Sequence, residues 1–201
     1  IVGVALGFGS QRLVEDVISG FFILVEDQIR VGDVIQTGDK NGVVEKVGLR
    51  MTVLRDLNGH VHFIRNGKID IVSNMTKDYS YALFDIGVAY REDTDEVVKV
   101  IEAVAAGMQD DPDFAEKILE PIKVLGVDHF ADSAVIIKCR FKTQPGDQWK
   151  VRREFNRRLK KAFDTKDIEI PFPHRTIYIG DPKTSAPTAL PVRQVSEERS
   201  A

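Results

Sequence analysis

The feature that most limits what this chain can become is its opening run, Val2-Gly-Val-Ala-Leu-Gly-Phe-Gly9, which is apolar yet carries a small residue at 3, 5, 7 and 9. In a water-exposed helix each glycine would cost about 1 kcal/mol relative to alanine. In a membrane, a face of small residues lets helices approach closely, and Gly3 and Gly7 share a face at i, i+4. The same letters also fit a glycine-rich loop. The run from Ile1 to Phe8 is far below the ~20 apolar residues that span a bilayer. It lacks the basic start and the small-residue cleavage site of a signal peptide, so it reads as the stump of a longer helix and the chain as a C-terminal fragment.

From Gln11 to Val25 apolar residues fall at 13, 14, 17, 18, 21, 22 and 25, which is helical spacing. Arg12, Glu15, Asp16 and Ser19 make a charged face. Two placements suit such a helix: lying along a membrane interface, or packed by its apolar side on a soluble core. Residues 26–72 read as short strands: Val31–Ile35, Val43–Val47, Thr52–Asp56 and Val61–Ile64. Turns are signalled at Gly38–Gly42 and Asn58-Gly59, and strands at this spacing form a small barrel or sandwich.

The pattern changes at Tyr79. Ala82, Phe84, Ile86, Val88 and Tyr90 alternate as one buried face of a strand. Asp93-Thr-Asp-Glu96 resembles a capping box for a helix that buries Val97, Val100, Ile101 and Val104. Pro112 stops or restarts that helix. Val135, Ile137, Cys139 and Phe141 alternate with Ile136, Lys138, Arg140 and Lys142 as a second strand. Val151, Phe155, Leu159 and Phe163 mark a second amphipathic helix. Ile168–Pro173 and Thr176–Ile179 close the domain, in the order strand, helix, two strands, helix, strand of ferredoxin-like folds. The expected class is α+β, with boundaries at 1–26, 27–75, 76–180 and a disordered tail at 181–201, which is rich in Pro, Ser, Thr and Glu.

Charge and chemistry exclude more than they assign. The net charge of −3, from 28 basic and 31 acidic residues, gives no general attraction to nucleic acid. With Cys139 as the single cysteine, no intrachain disulfide or cysteine zinc site can form. His60 and His62 would share a strand face without a third ligand close by; His129 and His174 show no partner pattern. Gly7-Phe-Gly9 lacks the third glycine of a dinucleotide motif. No nucleophile elbow, phosphate loop or zinc motif appears, so neither an enzyme nor a cofactor is expected. Lys150–Lys161 holds seven bases and one acid; it could bind anions or nucleic acid, but reads first as the solvated face of the second helix, which could also supply positive potential.

Three stretches resemble the small-conductance mechanosensitive channel family. Gly3-Val-Ala-Leu-Gly-Phe-Gly-Ser-Gln11, running into Asp16-Val-Ile-Ser-Gly20, is similar to its pore-lining helix, the kink and the interfacial half-helix. Val31-Gly-Asp-Val-Ile35, Gly42-Val-Val-Glu-Lys-Val-Gly-Leu-Arg-Met-Thr52 and Ile64-Arg-Asn-Gly-Lys-Ile69 resemble its β domain. Gly87-Val-Ala-Tyr90 and Ile168-Glu-Ile-Pro-Phe-Pro173 match the ends of its α/β domain. Arg65, the Glu26-Asp27 pair and Phe8 depart from the family's usual residues. The resemblance implies the end of a transmembrane pore helix, then a small Sm-like β barrel, then a ferredoxin-like α/β domain. It implies a tension-gated homo-heptamer in the inner membrane, with the β and α/β domains on the cytoplasmic side and contacts to lipids and permeating ions. Val4 and Phe8, one turn apart, would form the apolar constriction. Gly3, Ala5, Gly7 and Gly9 would pack helix on helix, and Gln11 and Gly20 would act with them as hinges. The alternative from another class is an RNA-binding Sm-like ring, since Phe63–Val72 resembles the second Sm motif. A soluble assembly scaffold is the third.

Overall fold

The computed structural model describes residues 2–175. A single helix, α1 (Val2–Val25), opens the chain. Its end is a Schellman cap: Asp27 takes the left-handed conformation (φ 53°), Gln28 N donates to Ile23 O at 3.2 Å and Asp27 N to Leu24 O at 3.4 Å. Asp27 then ion-pairs with Arg30 and, at 3.5 Å, with Lys77 on the segment that leaves this unit.

Strands β1 (Val34–Thr37), β2 (Lys40–Val47), β3 (Met51–Arg55), β4 (Val61–Arg65) and β5 (Ser73–Asn74) form one antiparallel sheet in the order β4-β3-β2-β1-β5. The first strand begins three residues later than its hydrophobic run predicts. Gly32 (φ 97°) makes a turn there, closed by Arg30 N donating to the Asp33 carboxylate at 2.9 Å. The β3–β4 loop is held by Asp56, whose Oδ1 accepts from Asn58 N at 2.8 Å and His60 N at 2.9 Å. Gly59 supplies the positive φ of 85° that the loop needs. Ile23, Ile29, Ile35, Val44 and Leu54 make the core of this unit.

The second unit runs β6 (Ser80–Val88), α2 (Thr94–Gln109), α3 (Pro112–Ala115), β7 (Lys123–Phe130), β8 (Val135–Thr143) and α4 (Gln148–Lys166). Its sheet is antiparallel in the order β6-β8-β7, with α2 and α4 over one face. The alternation in β6 and β8 is borne out: Ala82, Phe84, Ile86 and Val88 meet Val135, Ile137, Cys139 and Phe141 in one buried cluster with Val97, Ile101, Val151, Phe155 and Phe163. Tyr90 falls beyond β6, its hydroxyl donating to Ala131 O at 2.6 Å. Asp93 caps α2 by accepting from Asp95 N and Glu96 N, while the Glu96 side chain turns to Lys99 at 2.7 Å, so the reciprocal half of a capping box is not made. Pro112 restarts a helix, α3, under an Asp111 cap. β7 escaped the pattern because its register shifts twice, around Gly126 (φ 104°) and before His129.

Residues 168–175 close the unit without forming a strand. Pro171 and Pro173 lack the N–H groups a ladder requires. Glu169 O instead accepts from Ala89 N at 3.1 Å, and His174 N donates to Ser133 Oγ at 2.9 Å. The strand expected at Thr176–Ile179 and the tail expected at 181–201 lie outside the described residues.

Candidate functional site

The site is the junction of α1 with the first sheet, and it is built opposite to an ordinary amphipathic helix. Asp16, Gly20 and Ile23 share a face and are, among the described residues, those that α1 buries. Asp16, 4% exposed, accepts a hydrogen bond from Gly67 N at 3.1 Å. Gly20 lies so close to the loop after β2 that a Cβ would stand 1.9 Å from Leu49 O and 2.3 Å from the Asn66 side-chain nitrogen. Ile23 enters the core beside Ile35, Val44 and Leu54. The apolar residues of the same helix turn outward, with Leu13, Val14, Ile18, Phe21 and Phe22 each about half exposed (49–52%). Packing of the apolar side on a soluble core is therefore not what the structure has.

Asn66 organises the receiving surface. It is fully buried in the turn after β4; its Oδ1 accepts from Thr52 Oγ1 at 2.9 Å, and its Nδ2 donates to Gly48 O at 2.7 Å and Leu49 O at 3.0 Å. Its own N–H donates to Arg50 O at 2.9 Å. A buried polar network with every member satisfied holds one geometry. The loop at 48–50 is thus fixed against α1. In the sequence Asn66 stands out only as part of a family motif; its role depends on residues 48–52, which only the folded sheet brings to it.

The expected break in α1 among Gly7, Gly9, Ser10 and Gln11 is absent: the helix runs unbroken from Val2 to Val25. Glycine weakens a helix without forbidding it, and the docking of Asp16, Gly20 and Ile23 anchors the same segment. At Gly3, Gly7 and Gly9 a Cβ would meet nothing within 4 Å, and Phe8 (76% exposed) and Gln11 project into open space. Val4 and Ala5 belong to α1, but their side chains lie outside the described residues. Gly20 is a point of close approach to the first sheet.

The remaining candidates resolve differently. His60 lies in the β3–β4 loop rather than on the strand, and both it and His62 contact Asp56 Oδ2, at 3.2 and 3.1 Å. Burial alone would raise the Asp56 pKa; bonds from His62, His60 and Asn58 outweigh it and hold the carboxyl at about 2. Among the described residues no group of three or more His, Cys, Asp or Glu is placed to hold a metal. Burial pushes the Cys139 thiol up to about 12, so it is no nucleophile. On α4, Arg157 and Arg158 pair with Glu154, while Lys150 and Arg153 border a cleft of about 540 Å³ with Trp149, Val43 and Leu57.

Residues 12–77 match the family model described as "Mechanosensitive ion channel, beta-domain", and residues 82–170 match "Mechanosensitive ion channel MscS, C-terminal". The chain belongs to the mechanosensitive ion channel family. Within it, the chain is 38% identical over 185 residues to a small-conductance mechanosensitive channel of Caldanaerobacter subterraneus subsp. tengcongensis, covering 92% of this chain and 64% of that one. It is 28% identical over 170 residues to the moderate conductance mechanosensitive channel YbiO of Escherichia coli, covering 85% of this chain and 23% of that one. The fold resembles that of Helicobacter pylori MscS in its closed state, with a TM-score of 0.74 at 25% identity, over 90% of this chain and 70% of that one. The chain thus spans under two thirds of the length of both curated relatives. These matches give no support to the RNA-binding alternative. No helix among the described residues is long and apolar enough to cross a membrane.

Proposed function

We propose that this chain is the pore-proximal helix and the cytoplasmic part of an inner-membrane channel, opened by membrane tension to release ions and small solutes in hypo-osmotic shock. The observation that carries the reading is the inverted helix: α1 docks through Asp16 and Gly20 and leaves an apolar flank uncovered at Phe21 and Phe22. Such a flank calls for lipid or neighbouring helices. The units divide at 1–26, 27–75, 76–180 and 181–201, the second Sm-like and the third ferredoxin-like. The order β6-β8-β7 fits the latter, since its second hairpin strand lies between the other two. Copies assemble as a homo-heptamer, as the family resemblance implies, with lipids and permeating ions as the other partners.

In such a ring the small residues Gly3, Ala5, Gly7 and Gly9 pack helix against helix, and Val4 and Phe8 face the axis. A narrow apolar ring stays dry and blocks ions without a plug. Tension favours the state of larger in-plane area. Tilting of the helices, with Gly7, Gly9 and Gln11 taking up the change, widens and wets the ring.

Patch-clamp recording of full-length Val4→Ser and Phe8→Ser tests the seal. A hydroxyl in an unwetted ring is costly to leave dry, so both variants should open at lower tension or leak at rest. Val97→Ser, in the core of the second unit, should reduce folded protein without a leak. Wild-type gating by both seal variants, folded and assembled, would move the constriction elsewhere.

A further inference from the structure

The second unit carries its charge in two opposed halves. Between Asp93 and Lys117 the chain holds eight acids and two bases; from Gln148 to Lys166 it holds eight bases and two acids. Both helical segments cover the same face of the sheet. Helix α4 lies over β6 and α2 packs against β7, and these strands are the two outer ones among the described residues. The acidic and basic segments therefore lie toward opposite flanks of the unit.

At the seam between the helices the charges meet within one protomer. Arg158 pairs with Asp111 and with Glu154 and donates to Gly107 O at 3.2 Å. The seam groove is lined by Glu96, Val100, Val104, Lys161 and Thr165. With 3.6 residues per turn, Asp95 and Glu102 then face away from α4, and Arg152 and Lys160 away from α2. Asp95, Glu102, Arg152 and Arg153 are exposed, and none is in an ion pair among the described residues. A merely solvated surface mixes its signs; here they are sorted to opposite sides.

Two copies that present the same flank to each other repel, whereas a basic flank set on an acidic one attracts. Such a contact is head-to-tail, and repeated around an axis it closes a ring instead of a two-fold dimer. We propose that the partner of each flank is a second copy of this chain, with α4 of one protomer against α2 and α3 of the next. The proposal rests on the ring reading above and adds which surfaces meet and in which sense.

Cysteine cross-linking of the full-length protein tests it. Wild type is run alongside as the blank for any cysteine outside this chain; within it Cys139, the single cysteine, is fully buried. Glu102→Cys with Arg152→Cys in one chain, treated with a short bismaleimide, should give a ladder running beyond the dimer, and each single variant should give none. Adding Arg153→Glu should cut the ladder several-fold, and adding Asp95→Lys to that should restore it. A dimer from either single variant would mean like flanks meet and overturns the proposal. A ring by native mass spectrometry that yields no ladder also overturns it, and leaves the channel reading standing. A monomer by native mass spectrometry removes the ring reading and this contact with it.

Discussion

At the scale of the residue, the two kinds of glycine in α1 separate cleanly. A Cβ at Gly20 would overlap Leu49 O, which is backbone and cannot swing aside; a Cβ at Gly7 meets nothing within 4 Å. Gly20→Ala should therefore destabilise the protein by ~1–3 kcal/mol, the usual cost of overpacking. Gly7→Ala should leave the stability of the protomer unchanged or raise it by up to about 1 kcal/mol through helix propensity, separately from any effect on packing between helices of a ring. Thermal denaturation of both variants checks this, and equal midpoints would show that Gly20 is not a contact point. The sequence singles out Gly20 but for a different reason, a hinge. Its close approach depends on Leu49 and Asn66, which reach it only through the folded sheet. Asp16 is likewise visible as part of a charged face, and its burial against Gly67 N is not.

At the scale of the element, α4 was legible from Val151, Phe155, Leu159 and Phe163, because four-residue spacing over so long a stretch admits little else. Its polar side carries a pH-dependent contact. Hydrogen bonds from Arg157 and Arg158 hold the Glu154 carboxyl at about 2, below its ordinary 4.5. The Arg158 guanidinium likewise lowers the Asp111 carboxyl, which caps α3. A depressed carboxylate stabilises the fold fully above its unfolded pKa and loses that contribution as pH falls through the folded one. The Glu154 contribution should thus be lost between about pH 4.5 and about pH 2, and the Arg158–Asp111 contact of α4 with α3 should weaken on acidification in the same sense. Glu154→Gln should flatten the fall of the thermal midpoint across that window; an unchanged slope would assign the acid sensitivity elsewhere. The elements missed from sequence are those with little pattern to read. β5 has two residues, and bulges move the side chains of β7 out of phase with a period of two.

At the scale of the whole molecule, the two units could be drawn from the change of pattern at Tyr79, while their joining could not. Lys77 reaches back to Asp27 at the end of α1, and Gln148 Nε2 donates to Met75 O at 3.3 Å, contacts between residues far apart in the chain. Because Phe21 and Phe22 lie outside both cores, Phe21→Ser and Phe22→Ser should shift folding stability by no more than about 0.5 kcal/mol. Each should weaken binding to phospholipid vesicles by roughly ten- to a hundredfold, given ~1.5–3 kcal/mol for burying a phenyl ring. Vesicle co-sedimentation alongside thermal denaturation reads both, and unchanged sedimentation would show that this flank meets no lipid. The inside-out helix also says how such a chain is free to drift over evolutionary time. Leu13, Val14, Ile18, Phe21 and Phe22 are not buried in the protomer, so on the membrane reading proposed above lineages living in different lipids can rewrite that flank without disturbing the fold. Asp16 and Gly20 have no such latitude, since each answers to a single backbone group, Gly67 N or Leu49 O. In this helix it is Asp16, Gly20 and the core residue Ile23 that ancestry should preserve, and the outward-facing greasy residues that it should let wander.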